Sequence, residues 1–298
     1  MGNKNSAKKY WVKIPYDRIN LFPLWSDIKE HPLVITGLKR YHVEIEATAF
    51  SEIAPIIGKD DIHHAIIREK YENVFVLESK QLEYALNKLD LFYKNNLLKD
   101  QGCFNHINTE ITEGQNYKEI DILYKRISMD LFPWQNYFMD YSLRVELARW
   151  HHCYDTLSKP QQNNISDLFH CAYEKALKIS KDESKLTPVI NHGGFDYKNL
   201  IFTPEVVLLD NEKLHIGWPG IDYADLLITY MQKKHPTETL ELWRNTLMIV
   251  SRSSFSIEIL IGWLLLETCK EAISETARLN QISPTLSKRI YNLLQLIS

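Results

Sequence analysis

The chain is poor in the features that announce a function at once. Its 298 residues include four cysteines, Cys103, Cys153, Cys171 and Cys269, and no two of them form a CxxC pair. So few scattered thiols neither staple a small secreted domain nor build a cysteine-rich zinc site. With no secretory signal in view, they are expected to be reduced thiols of a cytoplasmic protein. Charge of one sign is also lacking: 35 basic against 38 acidic residues give a formal net charge of −3. That balance offers no global basic field, so nucleic acid and anionic membrane are not expected partners. The longest apolar run, "ILIGWLLL" at 259–266, is bracketed by Glu258 and Glu267. It is too short to span a bilayer and reads as a buried helix, so no integral membrane segment is expected. Glycine is missing from residue 3 to residue 36. A glycine-rich phosphate loop there is absent or shortened.

What is present suits a large globular protein. A hydrophobic fraction of 45% and a charged fraction of 24% are ordinary, and the length can bury a sizeable core in one domain or two lobes. The sixteen Tyr and seven Trp are expected mostly in that core. "HHC" at 151–153 lies in a helical pattern, where adjacent side chains point in different directions, so it does not form a metal site. The start, "MGNKNSAKKY", fits a myristoylation pattern but is read as a polar, frayed terminus.

The first part of the chain mixes strand and helix signals. "PLVITGLKRY" reads as a strand. "HVEIEATAFSEIAPII" then spaces Glu46, Phe50, Ile53 and Ile57 along one helical face, with Pro55 blurring its end. "HHAIIREK" and "VFVLES" read as two further strands around a turn. After Glu78 the pattern becomes helical: "QLEYALNKLDLFYKNNLL", then a polar loop over 100–120, then "SLRVELARWHHCYDTL" and "ISDLFHCAYEKALKI". From about Thr237 the remainder is helical again. This order predicts an α+β fold of two lobes: residues 1–79, small and sheet-containing, and residues 80–298, larger and mostly helical. The hinge is expected near Glu78–Lys80.

The chemistry concentrates in "NHGGFDYKNLIF", residues 191–202, and the apolar run that leads to Asp210. His192 and Asn199 have the separation of the histidine and asparagine in the kinase catalytic loop H-R-D-L-x-x-x-N. "LIFTPEVVLL" between Asn199 and Asp210 is just long enough for two short strands around a Thr-Pro-Glu turn. Such a hairpin brings Asp210 back beside Asn199. An amide oxygen and a carboxylate placed together suit a Mg²⁺ ion held against a triphosphate.

On these residues the segment resembles the aminoglycoside phosphotransferase and choline kinase superfamily, which has a protein-kinase-like fold. That loop commonly reads H-G-D-x-H-x-x-N, matched here by His192, Gly193 and Asn199. The pattern that follows in the family is matched in spacing by Asp210, Gly217, Pro219 and Asp222, and "ELARWHH" is similar to the family's L-A-x-L-H helix, with His151 at the histidine. The resemblance spans most of the chain and is specific over about 190–228. It implies ATP or GTP bound with Mg²⁺ between the lobes, Asn199 and Asp210 as metal ligands, and His192 and Asp222 as structural braces of the loop. In the smaller lobe it implies Lys39 as the phosphate-binding lysine, Glu46 as its helical partner, and Glu78 at the strand whose backbone meets the base.

Two departures bear on activity. Gly194 stands where the family keeps its catalytic base, and Asn211 follows Asp210 where an aromatic is frequent. Asp196 lies two residues beyond Gly194, and alternate side chains of an extended loop share a side. It is the candidate displaced base, with Lys198 near enough to offset its charge. Three readings follow. One is a pseudokinase or atypical small-molecule kinase that binds nucleotide. Another is an active phosphotransferase using Asp196 on a small hydroxylated acceptor. The third is a structural, spore-coat-like protein that keeps only the fold. An acidic acceptor pocket would favour a cationic substrate such as an aminoglycoside or choline. A small-molecule acceptor and a protein partner both stay open.

Overall fold

In the computed structural model, the described residues are 10–13, 45, 56–63, 65–69, 79–95, 143–186, 189–196, 199–202, 206–210, 215–234, 239–251 and 255–296. They form an α+β, kinase-like fold with a small antiparallel sheet and a larger helical body. The sheet has three strands, β1 (Tyr10–Lys13), β2 (Gly58–Asp60) and β3 (Ala65–Glu69), in the order β1-β3-β2. Both pairings are antiparallel, with Val12 opposite Ile67 and Lys59 opposite Ile66. β3 falls within the strand expected from "HHAIIREK"; β1 and β2 are additions to the sequence reading. Asp60 closes the β2–β3 turn by accepting the N–H groups of Ile62 and His63 at 2.9 and 3.1 Å. Ile45 is helical, whereas Ile57, expected in the same helix, is not; the residues between 45 and 56 lie outside the described ones.

The helical body begins with α1 (Ser79–Asn95). Its buried residues Leu82, Ala85, Leu86, Leu89, Phe92 and Tyr93 recur at three- and four-residue steps, the stripe that an amphipathic helix turns to a core. α2 (Leu143–Asp155) and α3 (Lys159–Ser180) follow. α3 starts six residues ahead of its expected apolar pattern because Pro160 suits the first turn and the Gln161 side chain accepts the Ser158 N–H at 3.0 Å. After a short 3₁₀ turn at Glu183–Lys185 come four strands, β4 (Val189–Asn191), β5 (Leu200–Phe202), β6 (Val206–Leu208) and β7 (His215–Gly217). They make two antiparallel pairs, β4 with β7 and β5 with β6. The chain ends in α4 (Ile221–Lys234), α5 (Leu240–Val250), α6 (Ile257–Leu279) and α7 (Pro284–Gln295).

α6 contains the apolar run noted above, and its residues from Ile259 to Leu266 are all buried. A helical segment that is apolar all round, as this run is, must be central, and α6 packs on α2, α3, α4 and α7. Close approach is made possible at Gly262, where a Cβ would stand 2.8 Å from Leu143 and 3.0 Å from Ile179. Ser256 caps its start and Asn280, in the left-handed region at φ 57°, ends it. No helix among the described residues is long and apolar enough to cross a membrane.

Candidate functional site

The loop from Asn191 to Asn199 has one end in the core and one end in a cleft. At the core end, Asp222 in the first turn of α4 is fully buried. Its Oδ2 accepts the His192 N–H at 2.7 Å and its Oδ1 accepts the Gly193 N–H at 2.8 Å. The Tyr93 hydroxyl, reaching in from α1, donates to the same Oδ2 at 3.0 Å and stands 2.9 Å from the Asn191 amide oxygen. The Asn191 amide nitrogen in turn donates to the Trp218 carbonyl at 3.2 Å. Burial pushes the Asp222 carboxyl above its usual value, against the pull of His192 and of these donors. Burial, reinforced by the charge of Asp222, raises the Tyr93 hydroxyl well above 10. Gly193 has a φ of 74°, which a side chain disfavours, whereas Gly194 is not in that region.

At the cleft end, the Asn199 N–H meets the Asp196 carbonyl at 3.0 Å and its carboxylate Oδ1 at 3.2 Å. The Asn199 amide nitrogen donates to the Gly194 carbonyl at 2.8 Å. The atom facing a carbonyl must be the donor, so the Asn199 amide oxygen is turned the other way. The β5–β6 hairpin does what its length predicts. Leu200 pairs with Leu208, and the Leu209 N–H reaches the Asn199 carbonyl at 2.9 Å. Asp210 therefore comes back beside Asn199. Its φ of 60° lies in the left-handed region that Asp tolerates better than most residues. Its carboxylate is ion-paired with Lys13, the last residue of β1.

These residues line one open cleft of about 380 Å³. Its lining includes Gly194, Asp196, Asn199 and Asp210. Asp225, Thr229 and Gln232 of α4 and Glu267 and Glu271 of α6 line it as well. This helical wall is acidic, and two of its carboxylates are paired with basic residues. Lys270 meets Glu267 at 2.6 Å and lies over the Trp150 ring, 5.3 Å from its centroid. Arg289 of α7, only 1% exposed, meets Glu271 Oε2 at 2.9 Å, and Gln232 donates to the other oxygen at 3.2 Å. Burial raises the Glu267 carboxyl, against the pull of Lys270.

Across 98% of its length the chain superposes on the crystal structure of the choline kinase LicA from Streptococcus pneumoniae, covering 87% of that protein, with a TM-score of 0.52 at 11% identity. The chain has the kinase-like fold of this choline kinase. The resemblance first read from the loop motifs is thus matched by the fold. A second similar structure is the aminoglycoside phosphotransferase APH(3'')-Id from Streptomyces rimosus, in complex with ADP and streptomycin, with a TM-score of 0.46 and 12% identity over 89% of this chain and 86% of that one. No family model matches the sequence, and no curated protein matches it.

Of the residues singled out in sequence, the kinase-like fold brings Asp196, Asn199 and Asp210 together in the cleft and places His192 and Asp222 in the core behind it. Lys39, Glu46, Glu78 and Lys198 lie outside the described residues. Among the described residues, no group of three or more His, Cys, Asp or Glu side chains is placed to hold a metal. The donor set that does suit Mg²⁺ here is smaller: one amide oxygen, from Asn199, and one carboxylate, from Asp210, both hard oxygen donors. Sequence reading missed Lys13, Tyr93 and the acidic wall. The wall left a trace, since Glu267 and Glu271 are one helical turn apart and Asp225 follows Asp222 by three residues.

Proposed function

We propose that the chain binds a nucleotide and Mg²⁺ between its lobes, taken as residues 1–79 and 80–298, and acts as an atypical small-molecule phosphotransferase. The observation that carries this reading is that Asp196, Asn199 and Asp210 line one cleft together with acidic residues of α4 and α6. Asn199 and Asp210 would hold the Mg²⁺ through the amide oxygen and the carboxylate. The ion would supply charge neutralisation at the transferred phosphate. Lys13 is the described cation nearest these ligands, and it is suited to the nucleotide phosphates in the role first given to Lys39. Asp196 would orient and deprotonate the acceptor hydroxyl in place of the missing base at Gly194. General-base assistance of this kind contributes about 10²–10⁴-fold to rate. The wall of Asp225, Glu267 and Glu271 favours a small acceptor carrying positive charge.

One observation favours a second reading, that of a pseudokinase. The Asp196 Oδ1 is already engaged by the Asn199 N–H, a bond that caps the turn of its own loop. The test has two arms. Thermal shift with AMP-PNP, a non-hydrolysable ATP analogue, is expected to show Mg²⁺-dependent stabilisation, and Asp210→Ala should abolish the Mg²⁺ dependence. No stabilisation of the wild type would sink both nucleotide-binding readings. Phosphate transfer to a panel of small amino alcohols, lost in Asp196→Asn, identifies the active enzyme. Equal inactivity of both proteins, with nucleotide binding intact, identifies the pseudokinase.

A further inference from the structure

The ion pair between Lys13 and Asp210 joins two parts of the molecule that are far apart in sequence. We propose that Lys13 is a resident cation at the metal position. It neutralises Asp210 while the cleft is empty and leaves it to a divalent cation only when a nucleotide phosphate offers the lysine another anion. This rests on the nucleotide reading above and extends it to the coupling between the cleft's two ligands.

Geometry makes the lysine the movable partner. Asp210 follows β6 directly, and its neighbour Leu209 is tied by its N–H to the Asn199 carbonyl. Displacing the aspartate would disturb the end of the hairpin. The Lys13 ammonium, by contrast, sits on a flexible four-carbon stem at the end of β1. Both side chains are about one-third exposed, at 35% and 34%. An ion pair that open to water is weak, so Lys13 can leave it at little cost when a better anion arrives.

Charge makes the pairing consequential. The same cleft carries Asp196 and Asp225 in addition to Asp210, besides Glu267 and Glu271, which Lys270 and Arg289 partly offset. A free divalent ion would be drawn to such a set, yet at Asp210 it meets an ammonium tethered to the same chain. Tethering gives that ammonium a high effective concentration at the carboxylate, which a dilute ion must overcome. A triphosphate changes the balance, because its oxygens can take the lysine and at the same time add ligands beside Asn199 and Asp210. By linkage, nucleotide and metal then raise each other's affinity by the same factor. Lys13 enforces this: without it, the metal would have less need of the nucleotide.

The decisive measurement is the affinity of the full chain for Mn²⁺ alone, read by electron paramagnetic resonance of the unbound ion. It is then repeated with AMP-PNP. The wild type is expected to bind Mn²⁺ weakly alone and much more tightly with AMP-PNP. Lys13→Met should bind Mn²⁺ alone more tightly than wild type, by about two- to fivefold as suits an exposed ion pair, and gain correspondingly less from AMP-PNP. Lys13→Arg keeps the charge and should leave Mn²⁺ binding in the absence of nucleotide as weak as in wild type. The gain in Lys13→Met should vanish when Asp210→Ala is added. Circular dichroism checks the fold, and Lys13→Gln replaces Lys13→Met should the latter unfold. Unchanged Mn²⁺ affinity in the neutral variant overturns the proposal, as does an equal gain in Lys13→Arg. Failure of the wild type to bind AMP-PNP would instead overturn the nucleotide reading, and the nucleotide-free Mn²⁺ comparison would still decide where Lys13 sits.

Discussion

The two ends of the 191–199 loop are built on opposite terms. At the core end, Asn191, His192 and Asp222 are all 0% exposed, and their hydrogen bonds run to distant elements: α1, α4 and the Trp218 carbonyl. At the cleft end, Asp196 and Asn199 are partly exposed, and their side-chain hydrogen bonds to the Asn199 N–H and the Gly194 carbonyl are local to the loop. Buried polar groups must be satisfied by the protein because no water reaches them. The core end is therefore closed to a ligand by its burial. The side chains of the cleft end line an open cleft that a ligand can enter. The contrast separates residues that hold the loop from residues that can act, and it assigns them in the same way as the motif: His192 and Asp222 to the brace, Asp196, Asn199 and Asp210 to the cleft. Gly194 stands at the border, buried, with its carbonyl used to aim Asn199.

If that division is right, substitutions at the core end should unfold the protein and substitutions at the cleft end should not. The largest effect is expected for Asp222→Ala. It strands the N–H groups of His192 and Gly193 and leaves the Tyr93 hydroxyl to the Asn191 amide oxygen, and each buried unsatisfied group costs about 1–3 kcal/mol. A loss of roughly 2–6 kcal/mol in urea denaturation is expected on that basis, and a soluble variant of unchanged stability would break the division. Gly220→Ala comes next. Gly220, in the turn that leads into α4, has a φ of 149°, and a Cβ there would stand 2.1 Å from the Trp263 ring. Overpacking of this kind costs about 1–3 kcal/mol before backbone strain is added. Trp263 is fully buried and rigidly packed, so little relief is available.

Tyr93→Phe should have a smaller, pH-dependent effect. Its hydroxyl donates to Asp222, and a hydrogen bond to a charged acceptor is worth about 1.5–3 kcal/mol against about 0.5–1.5 for a neutral one. The sign follows from Asp222, whose carboxyl is raised by burial. A raised acid favours folding most below its unfolded pKa of 3.8 and loses that contribution as pH rises through its folded value. The Tyr93 hydroxyl opposes the shift by stabilising the carboxylate. Removing it should push Asp222 higher still, so the stability gap between wild type and Tyr93→Phe should widen as pH rises from 3.8 through the Asp222 titration. A gap that is constant with pH would show that the phenol only packs.

How far the sequence foretold this can be followed residue by residue. Asn199 and Asp210 were legible because the ten residues between them fix a hairpin, and a hairpin has one register. α1 was legible because its apolar spacing is local. Tyr93 and Lys13 were not, because their partners Asp222 and Asp210 are 129 and 197 residues away and no local spacing encodes such a meeting. β2 was missed for a different reason. "GKD" has no strand preference of its own and becomes a strand only through its pairing with β3. The acidic wall fell between these cases: its helical spacing was visible, but nothing in sequence said which face of α6 would meet the loop.

The smallest effect is expected at Asp196, and it is the sharpest test of the division. Asp196 is the residue proposed for chemistry, and within its own loop it accepts the Asn199 N–H with its carbonyl and its Oδ1. Asparagine keeps both acceptors, the carbonyl and a side-chain oxygen, and caps turns about as well as aspartate. The exchange removes a negative charge from a cleft that also holds Asp210, Asp225, Glu267 and Glu271, which relieves repulsion in the folded state. The two changes are of opposite sign, and the net effect of Asp196→Asn on stability should lie within about 0.5 kcal/mol, as for most substitutions outside a packed core. A loss of several kcal/mol would mean that Asp196 belongs to the brace, and the case for it as a displaced base would fall with it. A near-neutral result leaves the carboxylate with no folding role that demands a charge, so any loss of phosphate transfer in the same variant would report on chemistry alone.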